Sequence, residues 1–388
     1  MPDNSIYNIA RGSSNITAEQ IVVDMSNEIT LLQPRISPLT VLTKKLGTKS
    51  THNYRFDWLE DSMMARWGTV KAEALADATS LTLNAGEGSL IAINDILKVA
   101  STGEMVKVTA VAGDVLTVER GFGETSADVV PADAKILVVS NAMAQGTGAG
   151  SEKYNNTVPV HNYTQIIKTA YSITNTLDSM KLYGEKELAR LRNKKGIEHA
   201  MSIEYALLFG ERKLDTTGPQ PLTTTAGVLS FLAGTDNVVT LDTATVTDAK
   251  LQKEALEDYI EKIFTYGSDR KVWLCSPDVI TFVNRMAFDK LQLIQANNDK
   301  TFGLDITTFR TPHGTLNMVH HPLLTQGYAG YSITLDIGEL AYRPLQGRDT
   351  KLKTNIQLPD EDGKRDQYIT EMGLELRQPD KHGMFILK

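Results

Sequence analysis

The spacing of hydrophobic and polar positions changes period several times along the chain, and each change marks an element. Ser37-Pro38 stands before Leu39, Leu42 and Leu46, with Gly47 behind them. A capping serine, a proline at the first helical position, helical spacing and a glycine stop predict a helix of about nine residues. So short a helix is marginal alone, and it lies on a long arm, residues 1–50, whose apolar clusters close no core of their own, so it needs a partner to dock on. From Asn53 to Glu60 the period switches to two, which puts Tyr54, Phe56 and Trp58 on one face of a strand. Val158 to Ile173, rich in Val, Thr, Tyr and Ile, predicts a second strand that pairs with it to form a long two-stranded arm.

Between these strands, residues 72–144 carry small and β-branched residues with turn signals about every eight to twelve positions, the pattern of a small all-β module. Its candidate strands are Ser80 to Leu83, Ile96 to Val99, Met105 to Val111, Val115 to Glu119 and Lys135 to Ser140, with a tight hairpin at Ala112-Gly113-Asp114. Glu185 to Phe209 reads as a long helix with Ile197, Met201, Tyr205 and Leu208 on its inward stripe; Arg190, Arg192, Lys194 and Lys195 charge its first half, and Leu188 and Leu191 fall off the stripe. Thr247 to Phe264 is a second amphipathic helix, facing inward with Leu251, Ala255, Tyr259, Ile260 and Ile263. Lys271 to Cys275 is a buried strand, Ser276 a cap, Pro277 a first helical position, and Asp278 to Met286 a helix. Strands at Leu316 to Val319 and Tyr331 to Leu335 complete a compact α/β unit. The tail returns to β structure at Leu352 to Gln357, Gln367 to Leu376 and Met384 to Leu387, around the loop Asp360 to Lys364.

Composition narrows the function. At 388 residues the chain exceeds what one core usually organises, and 41% hydrophobic with 22% charged residues predicts a folded chain. A net charge of −7 provides no basic footprint for gripping a phosphate backbone, so sequence-specific DNA binding is not expected. The single cysteine, Cys275, excludes an internal disulfide. Met1 to Arg11 lacks the layout of a signal peptide, and no run approaches the ~18 apolar residues of a membrane span, so no membrane partner is expected.

Chemistry-bearing patterns are sparse. His320-His321 are adjacent on a strand and point to opposite faces, so they do not chelate one ion together, and His313 and His382 stand elsewhere without zinc spacing. Cys275 fits its strand as a small hydrophobe. Gly146 to Ser151 lacks the order of a nucleotide loop and reads as a hinge. Asp360 and Asp362 before Gly363 lack the terminal acidic ligand of a calcium loop and read as a hairpin tip. No catalytic residue, cofactor or metal site is expected. The Arg190 to Lys195 cluster reads as a solvated face or a docking surface for acidic neighbours, with contact to nucleic acid, as on the inner surface of a container, as the alternative.

The order of parts carries a resemblance. Asn53 to Glu60, Thr225-Ala226-Gly227-Val228-Leu229, Tyr266-Gly267-Ser268 running to Met286, and Thr311-Pro312-His313-Gly314 behind it are similar to the Hong Kong 97 phage capsid fold, in particular to the SU-ten-type major capsid family. The resemblance covers nearly the whole chain outside the insert and implies an α+β fold. Under it, residues 1–50 are the N-terminal arm, 51–71 and 145–180 the E-loop, 72–144 a β insertion domain, 181–245 and 346–388 the peripheral domain with its spine helix, and 246–345 the axial domain. It implies a major capsid protein, not an enzyme, that self-assembles into pentamers and hexamers of an icosahedral phage head around double-stranded DNA held without sequence specificity. It also implies localisation in the virion after assembly in the host cytoplasm, with room for separate scaffolding, portal and decoration proteins.

Extended arms do not bury their apolar face within one subunit, so Tyr54, Phe56, Trp58, Leu39, Leu42 and Leu46 are expected at inter-subunit contacts of the obligate class, about 2,000 Å² or more. The insert departs from the minimal fold and reads as a stabilising knob or clamp. With no helical scaffold-like segment read ahead of the arm, the expectation is a separate scaffolding protein, if any, and no required maturation cut in this chain. The alternatives are an encapsulin-like nanocompartment shell, another virion part such as a tail tube or decoration protein, or an enzyme with an unfamiliar site; fold alone does not fix function.

Overall fold

The computed structural model describes residues 37–148, 150, 152–181, 186–287, 294–295 and 306–388. The arm before Ser37, the predicted helix start at Glu185 and parts of the Gly-rich loop lie outside the described residues. The chain divides into two compact units: Trp58–Val160, and the described residues up to Asp57 together with His161–Lys388.

The first unit is a β-barrel. Its six strands run in the order Trp67–Thr69, Lys135–Asn141, Asp95–Val99, Met105–Ala112, Val115–Glu119, Ser80–Thr82. A Val70–Leu83 bridge, with the Lys71 amide donating to the Thr82 carbonyl at 2.8 Å, joins the last strand to the first and closes the sheet. Closure removes exposed edges, and Leu81, Leu97, Val106, Leu116 and Ile136 fill the interior. The Gly113-Asp114 hairpin forms where predicted, with φ +61° at Gly113. The unit is wider than the expected 72–144: Trp67–Thr69 is one of its strands, and Lys153 Nζ donates to the Leu90 carbonyl at 3.2 Å.

In the second unit, two sheets and a long helix organise the chain. The 14-residue strand Gly363–Leu376 is central to a four-stranded sheet, pairing antiparallel with Gln165–Thr174 on one side and with Leu340–Pro344 and Lys351–Lys353 on the other. The expected pairing of Val158 to Ile173 with Asn53 to Glu60 therefore holds only for its first part: Val158–Tyr163 pairs with Arg55–Glu60, and the chain then changes partner. The change falls at Thr164, whose amide donates to the Tyr54 carbonyl at 2.7 Å while its hydroxyl reaches Glu371 Oε1 at 3.2 Å.

The second sheet has seven strands, ordered Val238–Leu241, Gly383–Leu387, Tyr331–Leu335, Arg270–Cys275, Thr315–His320, Ile306–Arg310, Ile294–Gln295. Arg270–Cys275 is buried on both faces, as its continuous apolar run predicts. Val272 and Leu274 join a core with Leu207, Leu208 and Leu374, whereas Trp273 and Cys275 pack with Tyr259, Ile263 and Phe385 under helices Ala249–Phe264 and Pro277–Ala287. Ser276 caps the second of these helices through Val279 N at 3.3 Å. Sheet membership interleaves the predicted domains: Val238–Leu241 and Gly383–Leu387, assigned to the peripheral part, lie in the seven-stranded sheet, and Leu340–Pro344, assigned to the axial part, lies in the other.

One helix turns differently from its hydropathy, and a second keeps Tyr259, Ile260 and Ile263 inward as expected but departs at one position. In the spine helix Glu187–Phe209 the buried positions are His199, Ile203, Glu204, Leu207 and Leu208, so Ile197 and Met201 are half-buried and Tyr205 is exposed. The stripe is rotated because two of its inward positions are polar. In Ala249–Phe264, Leu256 is buried in place of Leu251, which is 51% exposed.

Candidate functional site

The motifs that carry the resemblance are packing junctions. Asn162 enters the body from the strand Val158–Tyr163, and its amide nitrogen donates to Leu374 O at 2.7 Å and shares its other hydrogen between Thr225 Oγ1 at 3.1 Å and Ala226 O at 3.2 Å. Its oxygen accepts from Tyr163 N and Ala226 N. The Thr225 to Leu229 motif thus clasps the entering strand, and Gly227 sits so close to the end of the spine helix that a Cβ would lie 2.7 Å from Leu208 O. At Thr311 to Gly314, reciprocal Thr311–Gly314 backbone bonds close a hairpin, and a Cβ on Gly314 would meet Phe264 Cε1 at 2.4 Å. Lys271 is fully buried and donates to the carbonyls of Ile263, Tyr266 and Lys381; burial lowers its pKa to about 8.

The arm helix Pro38–Leu46 docks on its own chain. Leu39 is 1% exposed, in a core with Ile203 and Leu207; Leu42 packs at its margin, and Leu46 is 47% exposed. The expected serine cap is absent, since Ser37 makes no side-chain capping bond. Glu204 of the spine helix takes that place: Oε1 accepts from Leu39 N at 2.7 Å, and Oε2 from Thr40 N at 2.8 Å and from the Thr40 hydroxyl. His321 Nε2 donates to the same carboxylate at 2.8 Å, with its Nδ1 accepting from Leu323 N. Beyond the helix, Lys49 N and Thr51 N donate to Tyr342 O and Pro344 O, knitting residues 48–51 beside the four-stranded sheet.

The premise that the arm and strand cannot bury their apolar groups within one chain fails for Leu39, Phe56 and Trp58; the last two are each 7% exposed. Arg343 lies over the Phe56 ring at 5.9 Å. Tyr54 is 47% exposed and stacks on Tyr163. The basic cluster is largely neutralised: Arg190 pairs with Glu187, Lys195 with Glu198, and Arg192 with Asp366 at 2.9 Å, whereas Lys194 is exposed. Burial pulls the Asp366 carboxyl up, but Arg192, the Asn355 amide and Tyr171 outweigh it and hold it below the usual range.

Among the described residues no group of three or more His, Cys, Asp or Glu side chains is placed to hold a metal, and no helix is long and apolar enough to cross a membrane. Cys275 is buried, which pushes its thiol well up. His382 is held neutral, its pKa lowered to about 4 by burial, with Nδ1 accepting from Asp336 N and Nε2 facing Arg377 O. The insert carries an open groove of about 880 Å³ lined by Met63, Met64, Ile93, Val139 and Met143.

Sequence reasoning missed Glu204, Asn162 and the Glu104–Arg120 pair of the insert. The available signal for Glu204 was an acid one position past Ile203 and three before Leu207, on the face the stripe left out.

A seven-stranded sheet with a doubly buried strand, a long spine helix and an inserted β unit fit the Hong Kong 97 fold that the sequence resembles. Solved structures bear out the fold: one from Microbacterium phage Oxtober96 matches with a TM-score of 0.50 at 7% identity over 95% of this chain and 97% of that one. One from Mycobacterium phage Bobi matches with a TM-score of 0.50 at 9% identity over 98% and 99%. The major capsid protein of Pseudomonas phage PaMx41 is 25% identical over 326 residues, 82% of this chain and 77% of that protein. The profile of the SU10 major capsid protein family matches residues 8–387. The chain belongs to that family, and its work is that of a phage major capsid protein, a subunit of the oligomeric shell of the virion.

Proposed function

We propose that the chain assembles into pentamers and hexamers of an icosahedral head that encloses double-stranded DNA without sequence specificity, in the host cytoplasm and without catalysis of its own. The observation that carries this reading is the family match over residues 8–387 on a body whose strands extend into a separate unit. The seven-stranded sheet with its two helices fits the axial domain, which would crowd around the symmetry axes. The four-stranded sheet with the spine helix fits the peripheral domain, and Arg55–Glu60 with Val158–Tyr163 the E-loop.

Apolar groups left uncovered in one chain are the natural inter-subunit contacts, because obligate interfaces resemble a core cut in half. Leu46, Tyr54 and the outer spine residue Tyr205 are exposed in this way. Of the basic cluster, Lys194 has the side chain most available to packaged phosphate or an acidic neighbour.

Expression of the full chain, followed by size-exclusion chromatography and negative-stain electron microscopy, tests the proposal. Closed shells, or rings of five and six, are expected; a monomer that stays monomeric under crowding and salt counts against autonomous assembly. Paired substitution of Tyr54 and Tyr205 by Ser is expected to lower shell yield while leaving the monomer folded by circular dichroism.

A further inference from the structure

We infer that Glu204 is the anchor that positions the N-terminal arm: its buried carboxylate substitutes for the missing N-cap of the arm helix and decides whether that helix docks on the spine.

Three observations meet there. The helix Pro38–Leu46 has no capping side chain of its own and no acidic residue in its first turn, so the amides at its positive end lack a local acceptor. Its apolar grip is thin, since Leu39 is the one hydrophobic side chain of the helix beyond Pro38 that is fully buried, while Val41 and Leu46 are exposed. A nine-residue helix with so little apolar burial does not hold itself. Glu204, fully buried, accepts four hydrogen bonds, three of them from the arm at Leu39 and Thr40, which is the full complement of a carboxylate. His321 supplies the fourth and fixes the carboxylate on the body side, because its other nitrogen is occupied by Leu323 N.

The arrangement is close to all-or-none. Undocking strips three donors from a buried charge at once, and removing the carboxylate leaves two arm amides and the His321 N–H without an acceptor. At the far end Lys44 is 3.5 Å from Asp349 and lies over the Tyr342 ring, and beyond the helix Lys49 N and Thr51 N hold the chain to Tyr342 O and Pro344 O. The arm helix, from Ser37 onward, is therefore held at a point set by one residue of the spine helix. Its consequence for assembly rests on the shell reading; the docking itself does not.

The test is hydrogen exchange on the full-length chain, unassembled, with Glu204→Gln and the milder Thr40→Val. In Glu204→Gln, protection of the amides of residues 39–43 is expected to fall by at least about tenfold while that of Gly363–Leu376 is retained. Thr40→Val, which removes only the hydroxyl donor, is expected to give a smaller loss and keeps the test open if Glu204→Gln fails to fold. Unchanged arm protection in both variants overturns the anchor. Lost protection with shells forming at the parent's yield overturns its positioning role. A parent chain with a protected arm that never assembles counts against the shell reading and leaves the anchor standing.

Discussion

The barrel Trp58–Val160 and the spine-and-arm region bury polar groups in opposite ways. In the barrel the buried ion pair is local: Arg120 grips Glu104, 16 residues away, by two bonds of 2.8 Å, and the amides of Gly121 and Asp128 complete the carboxylate. In the body the polar side chains buried on the spine helix reach far along the chain, Glu204 to Leu39 across 165 residues and His199 to Thr370 across 171, although Lys271 also finds near partners in Ile263 and Tyr266. The difference governs what a sequence reveals. Where burial is apolar and polar partners are near, strand periodicity reads true; where an inward position is polar, its partner lies too far along the chain to be guessed, and the stripe is misread.

The largest effect expected from testing this comparison is in the barrel. Arg120→Met removes the guanidinium and strands Glu104, and is expected to destabilise the unit by about 3–5 kcal/mol in urea denaturation; a loss under about 1 kcal/mol would show that the pair is not the barrel's polar centre. In the body, Leu256→Ala is expected to cost about 2–5 kcal/mol. Leu251→Ala, at the position that hydropathy favours equally, should stay within about 0.5 kcal/mol. Equal losses would mean that the rotation of that helix is wrong.

Acid should separate the two regions by pH window. His382 has its folded pKa lowered from 6.5 to about 4, so its contribution is present above pH 6.5 and lost as pH falls toward about 4, a change of about 3 kcal/mol. Burial pushes the Glu104 carboxyl up, but Arg120 and the Gly121 and Asp128 amides hold it below its ordinary 4.5, so the barrel's contribution is lost only as pH falls beneath that value. Hydrogen exchange corrected for intrinsic rates should therefore show the seven-stranded sheet loosening at a higher pH than the barrel, and His382→Gln should flatten the body's response. Loss in the reverse order would break the comparison. The smallest effect expected is for Lys194→Ala, within about 0.5 kcal/mol of the parent's stability, since the side chain is exposed.

Much of this protein was legible without coordinates. Five of the six barrel strands, all but Trp67–Thr69, fall within a residue or so of the periodicity that predicted them, Arg270–Cys275 is the doubly buried strand its apolar run announced, and Ser276-Pro277 opens a helix as capping chemistry requires. These are local outcomes, set by side-chain alternation and by backbone groups that find partners a few residues away. What the tertiary structure decided is non-local. It moved the cap of the arm helix from Ser37 to Glu204, turned the spine helix so that His199 faces Thr169 and Thr370, and split Val158 to Ile173 between two sheets at Thr164. It also paired Arg192 of the basic cluster with Asp366. The physical reason is common to all of these: a buried polar group must be satisfied wherever the fold offers a partner, and that partner is specified by the packing of distant elements, not by the pattern of neighbouring residues.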